Sequence, residues 1–135
     1  MIVVDTSVWI AARRDAHIAT TLDSLIDADE VALALPVRLE LWAGLKKRDR
    51  KAFLKAFGAL IQLAPNDDTW NALPDSIERA ADARQRFGLT DLIIAALATD
   101  IGGLVWSLDT DFERMERLKL VSRYDPPIKK GSRKL

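Results

Sequence analysis

Residues 88–112 read GLTDLIIAALATDIGGLVWSLDTDF, and this stretch decides the fold class. From Thr90, a good helix N-cap residue, to the stop at Gly102 the chain is apolar on nearly every face, which predicts a helix buried against a sheet. The continuous apolar run at residues 104–108 predicts a strand, and a further helix is predicted over residues 112–118. A buried helix followed by a strand that is apolar on both faces is typical of an α/β protein with a parallel sheet.

The rest of the chain alternates between the same two patterns. Apolar runs predict further strands at residues 2–4, 31–35, 60–63 and 120–122. Helical spacing of apolar residues predicts helices over residues 15–28, 37–45, 49–57 and 67–87, and Pro74 is expected to divide the last of them in two. The prediction is a mostly parallel central sheet of about five strands that is flanked by helices.

Length and composition indicate one globular domain. The chain has 135 residues, of which 49% are hydrophobic and 30% charged, and Lys plus Arg balances Asp plus Glu at 20 each. A net charge of zero argues against coating of nucleic acid by bulk charge, although it leaves room for a local basic groove. The chain has no cysteine, which excludes disulfides, zinc–thiolate sites and thiol nucleophiles.

The two ends of the chain carry the remaining predictions about organisation. Residues 1–5 show neither a basic flank nor a long apolar stretch, so we expect no secretory signal, no membrane segment and a cytoplasmic protein. Two prolines and a run of basic residues predict a flexible tail at 126–135, which leaves residues 1–125 as the folded domain.

Four acidic side chains are predicted to converge on one edge of the sheet. Asp5 and Asp109 directly follow predicted strands, and Asp91 lies at the start of the buried helix. Glu40 stands in the first turns of the helix that opens at Pro36. Carboxyl ends of parallel strands and the N-termini of the helices that follow them share one edge, which is where α/β proteins bind ligands. Each acid alone can also be explained as a helix cap, as first-turn dipole complementarity or as a solvated charge.

Carboxylates that are packed together repel one another and lose solvation, and a bound cation removes that cost. Because every ligand on offer is an oxygen atom, the ion that suits them is hard, Mg²⁺ or Mn²⁺. Such a site suits phosphodiester hydrolysis, in which the ion activates water and neutralises charge on the phosphate.

Four segments together resemble the PIN-domain nucleases, and specifically the VapC-type toxins of bacterial toxin–antitoxin systems. The segments are VVDTSVWI at 3–10, LELWAG at 39–44, GLTDLIIAALA at 88–98 and SLDTDF at 107–112. They occur in the family's order and spacing, and the resemblance extends to about Tyr124. It implies a three-layer PIN-like fold and a Mg²⁺- or Mn²⁺-dependent endoribonuclease that acts on RNA, forms a homodimer and is held inactive by a cognate VapB-type antitoxin.

The resemblance also implies roles for individual residues. Asp5, Glu40, Asp91 and Asp109 fall on the family's acidic quartet, as metal ligands and catalytic groups. Either Thr6 or Ser7 falls on its hydroxyl position, and Ser7 is the one that we favour to orient a metal-bound water. Asp111 can share or take over the role of Asp109, and that point stays open.

Basic and aromatic residues supply further candidates for substrate and partner binding. Lys46 and Lys47 open a basic cluster that either contacts phosphates or is a solvated helix face. Arg86 precedes the segment of Asp91 and is a candidate for a substrate phosphate contact, as are the basic residues of the tail. Trp42 is a candidate for the groove that receives an antitoxin segment.

Three other functions compete with a toxin nuclease. A housekeeping RNA-processing nuclease of the same family would carry the same residues. A catalytically silent binding module of the same fold is a second alternative, although it would have no need for four mutually repelling acids. A phosphatase of the haloacid dehalogenase type also places an Asp after its first strand, but it requires a second acid two residues later, where this chain has Ser7.

Overall fold

The computed structural model describes residues 1–128 and confirms the predicted α/β class. Four strands alternate with seven α-helices in this part of the chain. The elements are β1 (Ile2–Val4), α1 (Thr6–Ala11), α2 (Ala16–Asp27), β2 (Val31–Ala34), α3 (Leu35–Ala43), a short 3₁₀ helix (Lys47–Asp49), α4 (Arg50–Phe57), β3 (Ile61–Leu63), α5 (Asp67–Asp82), α6 (Leu89–Asp100), β4 (Leu104–Trp106) and α7 (Asp111–Arg117).

The strands form one sheet in the order β3-β2-β1-β4, and all three pairings are parallel. The first strand is therefore central, between β2 and β4. Its last residue, Val4, pairs with Trp106, the last residue of β4. Two strands that run in parallel and end in register bring the residues that follow them side by side, which is the feature that builds the site described below.

Helices cover both faces of the sheet, so the fold has three layers. Alternation along β1 turns Ile2 and Val4 toward one face, where they pack with Leu22 and Leu25 of α2. Val3 points the other way, into the larger core that α3, α5, α6 and α7 build. The strands read as continuous apolar runs because both of their faces are buried.

Residues 1–128 form four strands, where about five were predicted. Residues 120–122 do not form a strand, and this segment contributes only an isolated parallel bridge between Val105 and Arg123. Val105 N–H donates to the Ser122 carbonyl at 2.9 Å, and Tyr124 N–H donates to the Val105 carbonyl at 2.8 Å. The apolar residues of the segment serve the core instead, since Leu120 and Val121 are buried there.

The predicted division of the fifth helix at Pro74 is also wrong. α5 runs unbroken through Pro74. The proline leaves the Trp70 carbonyl without its helical N–H donor. Because Pro74 and Trp70 both lie on the exposed side of the helix, water can reach this carbonyl. A capping box between Asn66 and Thr69 stabilises the start of the helix. The helix ends at Asp82, earlier than the predicted residue 87.

Two helix starts differ from the predictions. A short helix that was not predicted, α1, begins directly after Asp5, so the first strand passes into a helix without a loop. The N-cap of α6 is Gly88 and not Thr90. This places Asp91 in the first turn of α6, at the edge of the sheet where the sequence predicted it.

Within residues 1–128, no helix combines the length and the apolar character that a bilayer span requires. The predicted boundary at residue 125 and the predicted tail remain predictions. Residues 129–135, which make up most of that tail, lie outside the described residues.

Candidate functional site

The register of the central strands places an acid and a hydroxyl next to each other. Asp5 and Ser107 are the residues that follow the paired ends of β1 and β4, and Asp5 N–H donates to the Trp106 carbonyl at 2.9 Å. The Ser107 hydroxyl donates to Asp5 Oδ2 at 2.7 Å. Asp5 is only 7% exposed, so its carboxylate depends on these protein donors.

A second serine binds the same carboxylate oxygen. The Ser7 hydroxyl donates to Asp5 Oδ2 at 2.8 Å, and Ser7 Oγ accepts the Leu108 N–H at 3.0 Å. Ser107 Oγ in turn accepts the Asp109 N–H at 3.0 Å. The two hydroxyls therefore hold the same oxygen atom of Asp5, and their hydrogen bonds connect the turn after β4 to the start of α1.

We expect Ser107→Ala to weaken divalent metal binding by roughly tenfold, because partners that orient a ligand carboxylate typically contribute that much. The physical reason is that Asp5 Oδ2 loses one of its two hydroxyl donors. Isothermal titration with Mn²⁺ measures the effect, and Ser24→Ala, at an exposed position of α2, is the matched control. Equal Mn²⁺ affinity in the two variants would refute this role of Ser107.

Three further carboxylates cluster beside this pair. Asp91, Asp109 and Asp111 each offer an oxygen atom, and these atoms lie within 4.8 Å of one another. Asp109 Oδ1 also accepts the backbone N–H of Asp111 at 2.9 Å, which orders the turn that leads into α7. Asp109 and Asp111 therefore both contribute an oxygen atom to this group.

Four other acidic side chains affect the pKa of Asp91, so the five carboxyl groups interact electrostatically. The pKa of Asp91 is raised from its ordinary value of 3.8 to about 6, first by burial and then by the negative charges of Asp5, Asp109, Asp111 and Glu40. Glu40 has the smallest effect and is exposed on α3, so it lies at the rim. The predicted convergence of distant acids is therefore found in the structure.

Among residues 1–128, the cation in contact with this acidic cluster is Arg114. The Arg114 guanidinium, on α7, donates to Asp111 Oδ1 and to Gln85 Oε1, and it lies over the Phe87 ring at 5.0 Å from the centroid. These contacts link Asp111 through one guanidinium to Gln85 and to the Phe87 ring. No sequence pattern predicted a role for Arg114, although its spacing of three residues from Asp111 on a helix was an available signal.

The donor set fits a hard divalent cation. All the side chains that converge here offer oxygen atoms, and three of them are near enough to share one ion. Because packed carboxylates without a counter-ion destabilise one another, the cluster is an arrangement that a bound cation would relieve. Asp91, Asp109 and Asp111 are the residues whose oxygen atoms can share one ion, and the charge of Asp5 acts on Asp91 from beside this group.

The other predicted residues lie apart from the cluster or are buried. Thr6 Oγ1 is buried and has no hydrogen-bond partner among residues 1–128, which argues against a direct substrate contact. Lys46 and Lys47 are exposed beyond the far end of α3, whose nine residues span about 13 Å from the sheet edge. Arg86 is exposed in the loop before α6 and lines a cavity there.

Comparison with known proteins identifies relatives of this fold. A family model described as the PIN domain matches residues 2–118. No curated protein matches the chain.

Several solved structures are similar. One is VapBC2 from Rickettsia felis bound to a DNA fragment from its promoter, at 15% identity with a TM-score of 0.73, covering 94% of this chain and 100% of that one. FitAcB from Neisseria gonorrhoeae shows 22% identity and a TM-score of 0.70, with 93% and 97% covered. VapBC-5 from Mycobacterium tuberculosis, a member of the VapBC family of toxin–antitoxin systems, shows 27% identity and a TM-score of 0.63, with 84% and 89% covered.

Proposed function

Because the chain belongs to the PIN domain family, we propose that it is a Mg²⁺- or Mn²⁺-dependent endoribonuclease and the toxin of a VapBC-type toxin–antitoxin pair. The observation that carries this proposal is the set of four acids whose charges, together with burial, raise the pKa of Asp91 to about 6. A cluster of this kind is unfavourable without a cation, and it adjoins the strand ends at which α/β proteins bind substrates.

In this proposal each residue of the site has a role that follows from its position. Asp5, Asp91, Asp109 and Asp111 hold the metal, and Ser7 and Ser107 orient Asp5 through their hydroxyl donors. A bound divalent ion supplies an activated water at neutral pH and neutralises charge on the phosphate. Glu40, at the exposed rim, accepts a hydrogen bond from the attacking water and directs it.

The proposal is tested by cleavage of total RNA by the purified protein across a titration of Mg²⁺ and of Mn²⁺, with Asp5→Asn assayed side by side. We expect cleavage that rises with metal, stops in EDTA and is absent in the variant. Cleavage that persists in EDTA, or an Asp5→Asn variant as active as the wild type, would exclude a carboxylate-held metal. Transfer of phosphate to Asp5 would instead favour a phosphatase.

The surface between α3 and α4 supports an antitoxin partner. Arg38, Leu39, Trp42, Phe53 and Leu54 line a cavity of about 250 Å³ here. Leu39 is 54% exposed and Leu54 is 58% exposed, so the groove carries uncovered apolar surface. An amphipathic helix of a VapB-type antitoxin would bury this surface, and similar structures include VapBC complexes.

We expect Trp42→Ala to weaken binding of the cognate antitoxin about 30-fold, the scale of an interface hot spot. Trp42 packs edge-on against Phe53 and lies under the Arg50 guanidinium, so the variant loses both the indole surface and the wall of the groove. Titration calorimetry measures the affinity, and circular dichroism checks the fold. Trp70→Ala, an exposed tryptophan on α5, is the control, and equal affinities in both variants would place the partner elsewhere.

The remaining parts of the proposal concern cellular role and assembly. A toxin arrests growth when it is expressed without its partner, whereas a housekeeping RNA-processing nuclease does not. A catalytically silent module would show neither RNA cleavage nor arrest. We propose a homodimer in the cytoplasm, which sedimentation of the isolated protein and of the complex tests directly.

A further inference from the structure

A cavity of about 530 Å³ adjoins the acidic cluster. It lies between the last turn of α5, the loop of residues 83–88 and the first turn of α6, the same turn that carries Asp91. None of the predicted functions of the acidic residues uses it. Its walls combine the apolar side chains of Ile77, Leu89 and Leu92 with two polar side chains, Gln85 and Arg86.

The backbone holds Gln85 in a defined place. α5 ends with Arg84 in the left-handed conformation, at a φ of 57°, and Gln85 N–H then donates back to the Ala80 carbonyl at 2.8 Å. This is the backbone pattern of a Schellman motif, in which a left-handed residue closes the helix. Gln85 is therefore part of a closed turn and not of a loose loop.

The side chain of Gln85 has only one possible orientation of its amide. Arg114 donates to it, and because a guanidinium has no acceptor, the atom facing Arg114 must be Oε1. The other end of the amide, Nε2, makes no hydrogen bond within residues 1–128. Gln85 thus presents two unused N–H donors, and its fixed oxygen connects it through Arg114 to Asp111 of the acidic cluster.

The chemistry of the cavity favours a planar ligand that has an apolar face, a hydrogen-bond acceptor and an attached negative charge. Ile77, Leu89 and Leu92 can cover the face, Gln85 Nε2 can donate to the acceptor, and Arg86, exposed at the edge, can contact the charge. A base in single-stranded RNA, with its phosphate, has these three properties. The connection from Gln85 to Asp111 places such a base beside the phosphate that the acidic cluster would cleave.

We propose that this cavity binds the nucleobase next to the scissile phosphate and that Gln85 determines which base is accepted. The inference rests on the proposed ribonuclease function. Because its oxygen is held by Arg114, Gln85 cannot make the bidentate amide contact to adenine N6 and N7, whereas its N–H donors can still pair with the carbonyl oxygen of uracil or guanine.

The test uses the ¹⁵N-labelled full chain titrated with UMP, GMP or AMP in Mg²⁺, followed by backbone amide NMR signals. We expect shifts centred on residues 85–89, with UMP or GMP bound about tenfold more tightly than AMP, the discrimination that one base-edge contact provides. Gln85→Glu keeps an oxygen for Arg114 but replaces the free donors by an acceptor, so the preference should reverse toward AMP.

Two bulky substitutions on α5 separate occupancy of the cavity from general effects. Ala81→Trp fills the cavity and should abolish the shifts, whereas Asn71→Trp, exposed on the same helix but away from the cavity, should preserve them. Equal shifts with all three nucleotides, or shifts that survive Ala81→Trp, would overturn the proposal. It would also fall if Ala81→Trp turned a dimer into a monomer and nucleotides shifted nothing, because the cavity would then be a contact between copies.

Failure of this proposal can be told apart from failure of the nuclease assignment. Cleavage of RNA without any base preference, and without nucleotide shifts, refutes the base-binding cavity and leaves the nuclease intact. Nucleotide shifts at residues 85–89 in a protein that cuts no RNA refute the nuclease and leave the cavity as a nucleotide-binding site.

Discussion

Asp91→Asn is expected to reduce metal-dependent RNA cleavage by about 10³-fold or more, since a correctly held metal ion contributes several kcal/mol to stabilisation of the transition state. Asp91 is the acid on which the charges of Asp5, Asp109, Asp111 and Glu40 all act, and it shares the group of close oxygen atoms with Asp109 and Asp111. An asparagine keeps the shape of the side chain but removes the charge that holds the cation. The rate of cleavage at saturating Mn²⁺ measures the effect.

Glu113→Gln is the matched control for this loss. Glu113 lies in the first turn of α7, two residues from Asp111, but it is exposed and its charge does not act on Asp91. The Glu113→Gln variant should therefore cleave RNA at the rate of the wild type. A direct titration with Mn²⁺ should show weaker binding in Asp91→Asn only. If Asp91→Asn kept both Mn²⁺ affinity and cleavage, Asp91 would be only a helix first-turn acid, and the metal centre would have to be sought elsewhere.

The sequence predicted the location of the site because strand ends are visible in it. Asp5 and Asp91 follow, respectively, a buried strand and the cap of a buried helix, and in a parallel sheet both features lie at one edge. No role was predicted for Ser107, although it occupies the same position after β4 that Asp5 occupies after β1. Recognising this required the register of Val4 with Trp106, which no local pattern contains.

The contacts of Arg114 could not be predicted for a related reason. Its partners Asp111 and Gln85 come from two elements that meet only in the folded chain. The left-handed turn at Arg84, which presents Gln85, occurs at a residue type that rarely adopts this conformation, so the sequence pattern predicted a helix that continues to residue 87. Side chains that are placed by tertiary packing are the ones that periodicity and capping rules miss.

Two differences between the predicted and the observed elements, at residues 120–122 and at Pro74, have a common physical cause. Residues 120–122 and the helix around Pro74 were assigned from local propensity, and in both places burial decided otherwise. Leu120 and Val121 are apolar because they pack into the core, not because they pair in the sheet. Leu73 and Ala80 bury one side of α5, and this packing keeps the helix continuous across the proline.

The ionisation of Asp91 is also expected to change the free energy of unfolding, by an amount that depends on pH. In the folded chain the pKa of Asp91 is about 6, whereas its ordinary value is 3.8. Below about pH 3, well under the ordinary pKa of 3.8, the carboxyl is neutral in both states and does not lower the free energy of unfolding. As pH rises through this interval, the unfolded chain ionises more readily than the folded one, so the free energy of unfolding falls, and above about pH 6 the full cost is present.

Asp91→Asn removes this cost, so we expect the metal-free variant to be more stable than the wild type at pH 7. The gain should be about 1–2 kcal/mol once solvent screening of the partly exposed carboxyl is allowed for. Urea unfolding in EDTA measures it, and the difference between the two proteins should shrink as the pH falls from about 6 and vanish near about pH 3. Glu113→Gln should show no comparable dependence.

The same urea unfolding experiment can be repeated with Mg²⁺ in place of EDTA. Saturating Mg²⁺ should stabilise the wild type by an amount that grows with its concentration above the dissociation constant, and it should stabilise Asp91→Asn less. The order of stabilities at pH 7 would then reverse, with the variant ahead in EDTA and the wild type ahead in Mg²⁺. A wild type that is more stable than the variant in EDTA at pH 7 would mean that the acids do not strain the fold, and the electrostatic case for a cation at this edge of the sheet would fail.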